Sequence, residues 1–345
     1  MTTPARTGVE DFSNVRAYYS DRYVLALPRA HAFPMQKYAH LRDRLIAEGT
    51  LREPDVAEPA PAEREMILLA HTADYHDRFV AGRLTRQEQL RLGLPWSEML
   101  VGRARVSVGG TVAAAHAALE DGVAANLGGG THHAFAGHGE GFCVFNDIAV
   151  AIRALRAAGR IGSAAVVDCD VHHGNGTAAI FAADPLTYTL SLHSERNYPA
   201  LKPPSTVDVG FPDRTADAEY LGGLERELAR LFTSFAPDIV FYQAGVDPYH
   251  DDRLGRLALT LDGLRRRDEL VLGACWQRAV SCVITLGGGY ARDVADTVEA
   301  HCNTLRAASA LVRASPQRST AAPARARVEP NPVPGSEGIQ SPSSL

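Results

Sequence analysis

The segment from residue 166 to residue 176 contains the densest group of chemically reactive side chains in the sequence. It reads Val-Val-Asp-Cys-Asp-Val-His-His-Gly-Asn-Gly, and an apolar run over residues 164–167 leads directly into it. In an extended segment residues i and i+2 point to the same side, so Asp170 and His172 can bind one metal ion together. Two ligands do not complete a metal site, and further ligands must come from other segments.

Three other apolar runs also end in reactive residues. One leads into a Gly-rich loop with His132 and His133, another leads into Asp247, and a third leads into three glycines and Tyr290. In parallel sheets the ligand site lies beyond the carboxyl ends of the strands, so we expect these side chains to meet the segment around Asp170. The sequence therefore predicts one site built from four strand ends.

The segments between these runs predict the fold class. Strand-like runs alternate with segments whose apolar residues recur at helical spacing. This alternation is typical of an α/β protein, a three-layer sandwich in which a mostly parallel sheet has helices on both faces. The predicted strands cover residues 18–27, 123–127, 164–167, 186–192, 239–244 and 283–286. The predicted helices cover residues 37–48, 104–118, 147–158, 175–183 and 221–232, with a helical region over 65–92 after a proline-rich connector over 50–65.

The composition of the chain excludes several classes of partner. Its 345 residues carry a net charge of −5, with 46% hydrophobic and 22% charged residues, which is ordinary for a globular protein. No basic excess favours nucleic acid or an anionic membrane as a partner. The five cysteines form no Cys-x-x-Cys pair, so neither a disulfide framework nor a thiolate zinc cluster is expected.

The two ends of the chain complete the predicted organisation. Residues 1–16 lack the apolar segment of an export signal, which predicts a cytoplasmic protein without a membrane anchor. Residues 1–313 form the predicted catalytic domain. Residues 314–345 contain six prolines and much Ser, Ala and Arg, which predicts a disordered tail. The sequence leaves the oligomeric state open.

The residue types of the predicted site favour metal-assisted hydrolysis. A catalytic zinc keeps three protein ligands and one open position, and Asp170, His172 and Asp247 fit that number. Two carboxylates and one imidazole also suit Fe(II) or Co(II). Such a metal polarises a carbonyl group and lowers the pKa of its bound water toward ~7, which makes hydrolysis possible at neutral pH.

Hydrolysis of an amide also needs a proton carrier and a group that stabilises the oxyanion. His132 and His133 are candidates for proton transfer, with Asp168 and Asn175 as the acceptors that orient them. The Tyr290 hydroxyl, at the tip of a triple-glycine turn, can donate to a developing alkoxide. Phe142, which follows Gly141, is a candidate wall for a narrow apolar channel, and the alternative is a plain packing role.

Six motifs, taken in order, resemble those of the zinc-dependent histone deacetylase family. They are Gly-Gly-Gly-Thr-His-His (128–133), Gly-Phe-Cys-Val-Phe-Asn-Asp (141–147), Val-Asp-Cys-Asp-Val-His-His-Gly-Asn-Gly (167–176), Ser-Leu-His (191–193), Ala-Gly-Val-Asp-Pro (244–248) and Gly-Gly-Gly-Tyr (287–290). The resemblance covers roughly residues 15–310. It implies the arginase-deacetylase fold, an eight-stranded parallel sheet between helices.

The resemblance also implies roles for individual residues. Asp170, His172 and Asp247 would bind zinc, and Tyr290 would polarise the substrate carbonyl. His133 would be the general base and acid, with His132, held by Asp168, as its electrostatic partner. The ligands of a structural potassium ion would be the side chains of Asp168, Asp170 and Ser191 and the carbonyl groups of His172 and Leu192.

One residue departs from the pattern of the family's class I branch. The class I branch has Asp at the position of Asn175, whereas the class II and class IV branches have Asn there, as this chain does. His133 should therefore be less basic than it would be beside a carboxylate. The Asn-Tyr-Pro at 197–199 and the His-Ala-Phe-Pro from His31 resemble class IV and its bacterial relatives most.

The predicted activity is zinc-dependent hydrolysis of an N-acyl amine by metal-activated water, most simply of acetyl-lysine in a protein. A small-molecule amidohydrolase that acts on an acetylpolyamine or a natural-product amide would share the same centre. An arginase-like ureohydrolase with two Mn ions is a further alternative, although the histidine pair and Tyr290 argue against it. A non-catalytic acyl-lysine-binding module is the last one. His138, His250 and residues 251–252 are predicted to lie on solvated loops, and the alternative is that they shape the mouth of the pocket.

Overall fold

The computed structural model describes residues 15–28 and 31–314, and within them it contains eight strands and ten α-helices. The strands are β1 (Arg16–Tyr18), β2 (Val56–Ala57), β3 (Val123–Asn126), β4 (Ala164–Asp168), β5 (Thr187–Ser194), β6 (Val207–Phe211), β7 (Ile239–Gln243) and β8 (Ser281–Thr285). The helices are α1 (Lys37–Ala47), α2 (Arg64–Ile67), α3 (Ala73–Val80), α4 (Arg86–Leu92), α5 (Glu98–Asp121), α6 (Asp147–Ala157), α7 (Asn175–Phe181), α8 (Asp217–Ser234), α9 (Leu261–Gln277) and α10 (Val294–Ala314).

All eight strands form one sheet in the order β2-β1-β3-β8-β7-β4-β5-β6, and every pair of neighbours is parallel. The prediction of an α/β fold with an eight-stranded sheet is therefore confirmed, and the sheet is entirely rather than mostly parallel. Strands β3, β8, β7 and β4 stand side by side at the centre. The loops that leave their carboxyl ends consequently open at one place on the sheet edge.

Helices cover both faces of the sheet. On one face α5 packs against α6, and α6 packs against α7; on the other, α10 packs against α9 and α1, and α9 packs against α8. Because both faces are covered, the central strands are continuous apolar runs rather than alternating ones. Strand β4 has the sequence Ala-Ala-Val-Val-Asp and β7 has Ile-Val-Phe-Tyr-Gln, and every residue in both is buried.

The first predicted strand is wrong in its position. The strand is Arg16–Tyr18, and the chain then forms a 3₁₀ turn over Asp21–Tyr23. Ser20 Oγ accepts a hydrogen bond from the backbone of Arg22 at 3.2 Å, which stabilises the turn. The apolar residues after Tyr18 are buried in and after this turn and not in a strand. Their apolar composition alone therefore did not distinguish a strand from a buried turn.

Other differences concern two edge strands, the start of α5, and the helices α9 and α10, which were not predicted. Strand β2 has two residues and lies in the predicted connector, and β6 is an edge strand that was not predicted. Helix α5 begins at Glu98, six residues before the predicted start at residue 104, because Ser97 Oγ accepts a hydrogen bond from the backbone of Leu100. A strand of two residues has no measurable periodicity, which explains the omission of β2.

The carboxyl-terminal part of the domain ends with α10 at Ala314, and the rest of the predicted tail lies outside the described residues. Among the described helices, none has the length and apolar character that crossing a membrane requires. All five cysteines are buried and unpaired, as is typical of small core side chains.

Candidate active site

The loops after β3, β8, β7 and β4 bring the predicted site residues together at the sheet edge. A cavity there is lined by residues from three of these loops, and its walls include His132, His133, Asp170, His172 and Tyr290. Asp247 lies directly behind it, with its carboxylate against His172. The convergence predicted from four strand ends is present in the structure.

Asp170, His172 and Asp247 form a compact group of metal-type ligands, here named the metal cluster. His172 Nδ1 lies 3.0 Å from Asp170 Oδ1 and 3.1 Å from Asp247 Oδ2. The outer carboxylate oxygens accept backbone hydrogen bonds, Asp170 Oδ2 from Gly288 and Asp247 Oδ1 from Val171, both at 2.8 Å. These bonds orient the inner oxygens toward the imidazole nitrogen.

The metal cluster has the features of a cation site. Asp247 Oδ2 is buried and has no hydrogen bond, although such groups are nearly always satisfied in folded proteins. Burial and the neighbouring Asp170 carboxylate raise the pKa of Asp247 to about 7. Burial alone would lower the pKa of His172, but the two carboxylates raise it to about 10. Two carboxylates buried this close repel each other, and a divalent cation bound between them would compensate their negative charge. The donor set therefore fits a metal ion.

Two glycines are required for the carboxylates to come this close. A Cβ at Gly288 would overlap Asp247 Oδ2, and a Cβ at Gly245 would overlap Asp170 Oδ2. Behind the loops, the buried pair of Arg267 and Asp268 supports the backbone, since the Arg267 guanidinium donates to the carbonyl of Gly245. The glycine-rich motifs around the site therefore serve close packing against the ligands.

His132 is held by a charged partner. Its Nδ1 lies 2.7 Å from Asp168 Oδ2, and both side chains are buried. Burial lowers the pKa of His132, but Asp168 and Asp170 outweigh it and raise the pKa to about 9. The imidazole is therefore positively charged at neutral pH.

His133 is held by a neutral partner. Its Nδ1 lies 2.7 Å from Asn175 Oδ1, and its ring stands 4.1 Å from that of His132 between centroids. Burial, together with the charges on His132 and His172, lowers the pKa of His133 well below its ordinary value. Two adjacent imidazoles thus differ in charge state. The hydrogen bond to Asn175 acts in the other direction and raises the pKa of His133, so the comparison with a carboxylate partner stays a prediction.

Tyr290 lines the cavity with its ring buried beside Phe142 and Phe33, at centroid distances of 6.2 Å and 5.7 Å. Burial and the carboxylates of Asp247 and Asp170 raise the pKa of its hydroxyl well above the ordinary value, so the group stays protonated. A protonated phenol can donate a hydrogen bond into the cavity.

The turn that contains Tyr290 is held by a hydrogen bond to Asp252, a residue that the sequence predicted to lie on a solvated loop. Asp252 is only 9% exposed, and its Oδ2 accepts a hydrogen bond from the Tyr290 backbone at 2.6 Å. Its Oδ1 accepts from the backbone of Leu254 and of Gly255, both at 2.8 Å. The prediction for Asp252 is therefore wrong, since an acidic pair in sequence gives no indication that one member faces inward.

Gly141 and Phe142 line the mouth of the cavity in unusual backbone conformations. Gly141 has φ 54° and Phe142 has φ 68°, a left-handed region that costs a non-glycine residue about 1–3 kcal/mol. The Phe142 amide donates to the carbonyl of Leu92 at 2.8 Å, which holds the turn in place. The ring faces His31 and Phe33 at 5.4 Å and 5.5 Å, so it forms an apolar wall of the cavity and also packs.

Lys37 at the start of α1 is a site neighbour that the sequence did not indicate. It is buried, and its Nζ donates to the carbonyl of Gly287 at 3.0 Å and lies 5.6 Å from the centre of the Tyr290 ring. Burial lowers the pKa of Lys37 to about 8, partly offset by Asp247 and Asp170. Lysine is rarely buried, and no local pattern marks this one.

The residues that the family resemblance assigns to potassium lie on the adjacent strands β4 and β5 and in the loop that follows β4. Asp168 at the end of β4 pairs in register with Ser191 of β5, and Leu192 is the next buried residue. Ser191 Oγ lies 3.0 Å from His193 Nδ1. The potassium assignment stays a prediction.

A second group of three ligand-type residues lies beside the metal cluster. His173, His193 and Asp208 also meet within metal-ligand spacing. In this group, however, His173 Nε2 lies 2.9 Å from Asp208 Oδ1, and Asp208 Oδ2 accepts from the backbone of Ser205 at 2.9 Å. Because the carboxylate oxygens and the facing imidazole are already partnered, we name it the hydrogen-bonded cluster.

Fold and site together define an α/β protein with a metal-type centre beside a histidine pair, and comparisons with known proteins assign its family. The histone deacetylase domain model matches residues 31–305. Histone deacetylase 2 of Arabidopsis thaliana is 31% identical over 303 residues, which cover 83% of this chain and 78% of that protein. An uncharacterized protein of Picosynechococcus sp. is 43% identical over 290 residues, covering 84% and 97%.

A solved structure supports the same assignment at the level of the fold. The crystal structure of an HDAC homolog from Aquifex aeolicus matches with a TM-score of 0.74 at 24% identity, covering 86% of this chain and 84% of that one. The chain belongs to the histone deacetylase family and has the arginase-deacetylase fold. Membership of this family supports hydrolytic deacetylation as its general activity.

Proposed function

We propose that this protein is a zinc-dependent deacetylase that hydrolyses the side-chain amide of an N-acyl lysine, most simply acetyl-lysine in a protein. One observation supports the proposal above all others. The metal cluster, in which the buried Asp247 Oδ2 accepts no hydrogen bond and lies 3.1 Å from His172 Nδ1, faces a cavity whose walls also hold the histidine pair and a protonated Tyr290. A metal-type centre, a proton carrier and a hydrogen-bond donor are the parts that amide hydrolysis requires.

Asp170, His172 and Asp247 would hold the metal ion. Zn²⁺ bound there would polarise the substrate carbonyl and lower the pKa of a water molecule, and Fe²⁺ or Co²⁺ could supply the same chemistry. Two carboxylates and a buried imidazole fit each of these ions. A structural potassium ion near Asp168 and Ser191 is part of the same proposal.

His133 is the proposed proton carrier. The low pKa of His133 keeps its imidazole neutral, so the ring can accept a proton from the attacking water and return it to the leaving amine. The positively charged His132, fixed by Asp168, lies beside it and would stabilise negative charge that develops on the substrate. The different charge states of the two rings thus suit two different tasks.

Tyr290 and the cavity walls would bind and orient the substrate. The Tyr290 hydroxyl would donate a hydrogen bond to the acyl oxygen as negative charge develops there. Phe142, Phe33 and the backbone of Gly141 would hold the apolar alkyl chain of the lysine, and the bound chain would exclude water from the reacting bond. The aromatic rings of Phe33 and Phe142 beside the polar groups of the same cavity favour an amine with an unbranched alkyl chain over a compact polar substrate.

A substrate panel tests the proposal. We expect the purified chain to deacetylate a fluorogenic acetyl-lysine peptide, to lose activity with a chelator and to regain it with Zn²⁺. Tyr290→Phe should lower kcat by about 10²–10³-fold without loss of metal. Acetylpolyamines in the same panel separate a protein substrate from a small amine. Activity that survives both chelation and Tyr290→Phe would contradict the mechanism.

A further inference from the structure

The neutral partner of His133 is itself held by a carboxylate. Asn175 Nδ2 donates to Glu140 Oε1 at 2.9 Å, and the Tyr198 hydroxyl donates to the same oxygen at 2.8 Å. The other oxygen, Glu140 Oε2, lies 3.6 Å from His138 Nε2. His133, Asn175 and Glu140 therefore form a continuous chain of hydrogen bonds that begins at the cavity.

The chemistry of these groups determines the direction of every bond in the chain. An ionised carboxylate only accepts hydrogen bonds, so the amide of Asn175 must turn its NH₂ toward Glu140 and its oxygen toward His133. The amide oxygen also only accepts, so His133 Nδ1 must carry the proton. The remaining nitrogen, Nε2, is then left without a proton and free to act as a base.

We propose that Glu140 is a positioning residue that fixes the amide orientation of Asn175 and, through it, the tautomer of His133. Without an acceptor on its far side, an asparagine amide can rotate and present NH₂ to the imidazole. His133 would then have to accept at Nδ1 and carry its proton on Nε2, which abolishes its use as a base. Glu140 removes this alternative.

The position of Glu140 is built into a rigid turn. Its backbone exchanges two hydrogen bonds with Cys143, at 3.0 Å and 2.8 Å, across the turn that contains Gly141 and Phe142. A Cβ at Gly139 would collide with the Tyr75 hydroxyl, so the chain before Glu140 is also closely packed. The residue that orients Asn175 is therefore fixed by the same turn that forms the channel wall.

The contact is partly buried, which distinguishes it from a fully exposed surface pair. Asn175 is 1% exposed, and the side chain of Glu140 is 16% exposed. The ring of Tyr198 covers His133 edge-on, with centroids 5.1 Å apart, while its hydroxyl binds Glu140. A charge-assisted hydrogen bond in such a place is stronger than one in water.

The pair also explains why an amide suits position 175 in this chain. An aspartate there would place a second carboxylate within hydrogen-bond distance of Glu140, and two carboxylates at that distance cannot both be ionised without a large cost. The negative charge of Glu140 thus acts on the His133 imidazole through the amide of Asn175 and not by direct contact. This inference rests on the proposed function, because it assigns His133 the role of base.

A cycle of substitutions tests the inference. Glu140→Leu should lower kcat about tenfold with KM unchanged, whereas Glu140→Gln, which keeps an acceptor, should lose less. Asn175→Asp alone should also lose about tenfold, and the double variant Asn175→Asp/Glu140→Gln should recover most of that loss because the like charges are no longer adjacent. His138→Gln, which leaves the Asn175 contact intact, should keep kcat within about twofold.

Two results would overturn the assignment. If Asn175→Asp has the same activity whether residue 140 is Glu or Gln, the two side chains are not coupled. If Glu140→Leu raises KM and leaves kcat unchanged, Glu140 belongs to the substrate rim. Metal content and thermal unfolding of each variant separate these effects from misfolding.

A spectroscopic readout separates this inference from the proposed function. The ¹⁵N chemical shifts of the His133 ring should show a proton on Nδ1 in the wild type and a mixture of tautomers in Glu140→Leu. A fixed tautomer in both proteins would overturn the inference even if the wild type is an active deacetylase. An inactive wild type with the expected tautomer change would instead contradict only the proposed function.

Discussion

His172 and His173 are neighbours in sequence, yet they belong to two clusters with different properties. His172 joins Asp170 and Asp247 in the metal cluster, and His173 joins His193 and Asp208 in the hydrogen-bonded cluster. Both clusters combine imidazoles and carboxylates at metal-ligand spacing. Residue type and proximity therefore do not distinguish them.

The state of their hydrogen bonds distinguishes the clusters. In the metal cluster Asp247 Oδ2 is buried and accepts no hydrogen bond, although His172 Nδ1 lies 3.1 Å away, whereas both oxygens of Asp208 are bonded, one to His173 and one to the Ser205 backbone. His173 Nδ1 has no partner among the described residues, but it is not the nitrogen that contacts Asp208. A buried carboxylate oxygen that accepts no hydrogen bond and faces another ligand-type side chain therefore indicates a cation site more reliably than residue types and spacing do.

The largest expected difference between the clusters is in metal retention. Asp247→Ala should remove the bound metal and lower deacetylase activity by at least about 10³-fold, because two ligands rarely retain a catalytic ion. Asp208→Ala is the matched control, since it removes a carboxylate from the other cluster. We expect it to keep one metal ion per chain by elemental analysis.

The assignment of the clusters would be reversed by one pattern of results. If Asp208→Ala lost the metal and Asp247→Ala retained it, the hydrogen-bonded cluster would be the metal site. Equal loss in both variants would show that the two clusters act as one unit.

Close backbone packing gives a second, smaller difference. Gly288→Ala would place a Cβ against Asp247 Oδ2 and 2.7 Å from Asp170 Oδ2, so we expect metal affinity to fall about 10–100-fold. Gly210→Ala in β6 is the control beside Asp208, where the nearest atoms to a Cβ all belong to Glu195, at 3.4 Å and beyond. Metal titration of both variants measures the difference, and equal affinities would show that Gly288 is not required for packing.

The metal cluster could be predicted from sequence because its residues follow buried strands directly. Asp170, His172 and Asp247 each lie within a few residues of an apolar run, and parallel strands bring such positions to one edge. Residues that reach the site from elsewhere carry no such signal. Lys37 lies on a helix of ordinary amphipathic pattern, and Glu140 lies in a turn, so neither spacing nor composition places them beside the site.

The fold was predictable to a similar degree and for a similar reason. Central strands such as β4 and β7 are continuous apolar runs and were identified almost to their ends. The edge strands β2 and β6 were missed because they are short or only partly buried. Asp208 lies on β6, so the hydrogen-bonded cluster could not be recognised before the structure placed that strand beside β5.

Loss of an imidazole from the hydrogen-bonded cluster should affect stability rather than chemistry. His173 is fully buried, and His173→Leu would leave the Asp208 carboxylate without its partner at that oxygen. We expect the free energy of unfolding to fall by about 1–3 kcal/mol while the metal content stays at one ion per chain. Urea unfolding and elemental analysis measure the two quantities, and a loss of metal at unchanged stability would contradict the distinction between the clusters.

The smallest expected effect is a pH dependence that comes from His193. Burial and the neighbouring His173 lower the pKa of His193 to about 4, although Asp208 acts in the opposite direction. The ordinary pKa of histidine in an unfolded chain is about 6.5, so between these values the unfolded state binds the extra proton and stability falls as the pH falls.

Between pH 7 and pH 5 the wild type should therefore lose about 1.5–2 kcal/mol more of its free energy of unfolding than His193→Gln, which has no titrating group at this position. Urea unfolding of both proteins at the two pH values measures the difference, and all other titrating groups are common to both. Equal losses would mean that His193 takes up its proton in the folded protein as readily as in the unfolded chain. The hydrogen-bonded cluster would then accept a positive charge, as the metal cluster does at His172, and the two clusters would differ less than the structure indicates.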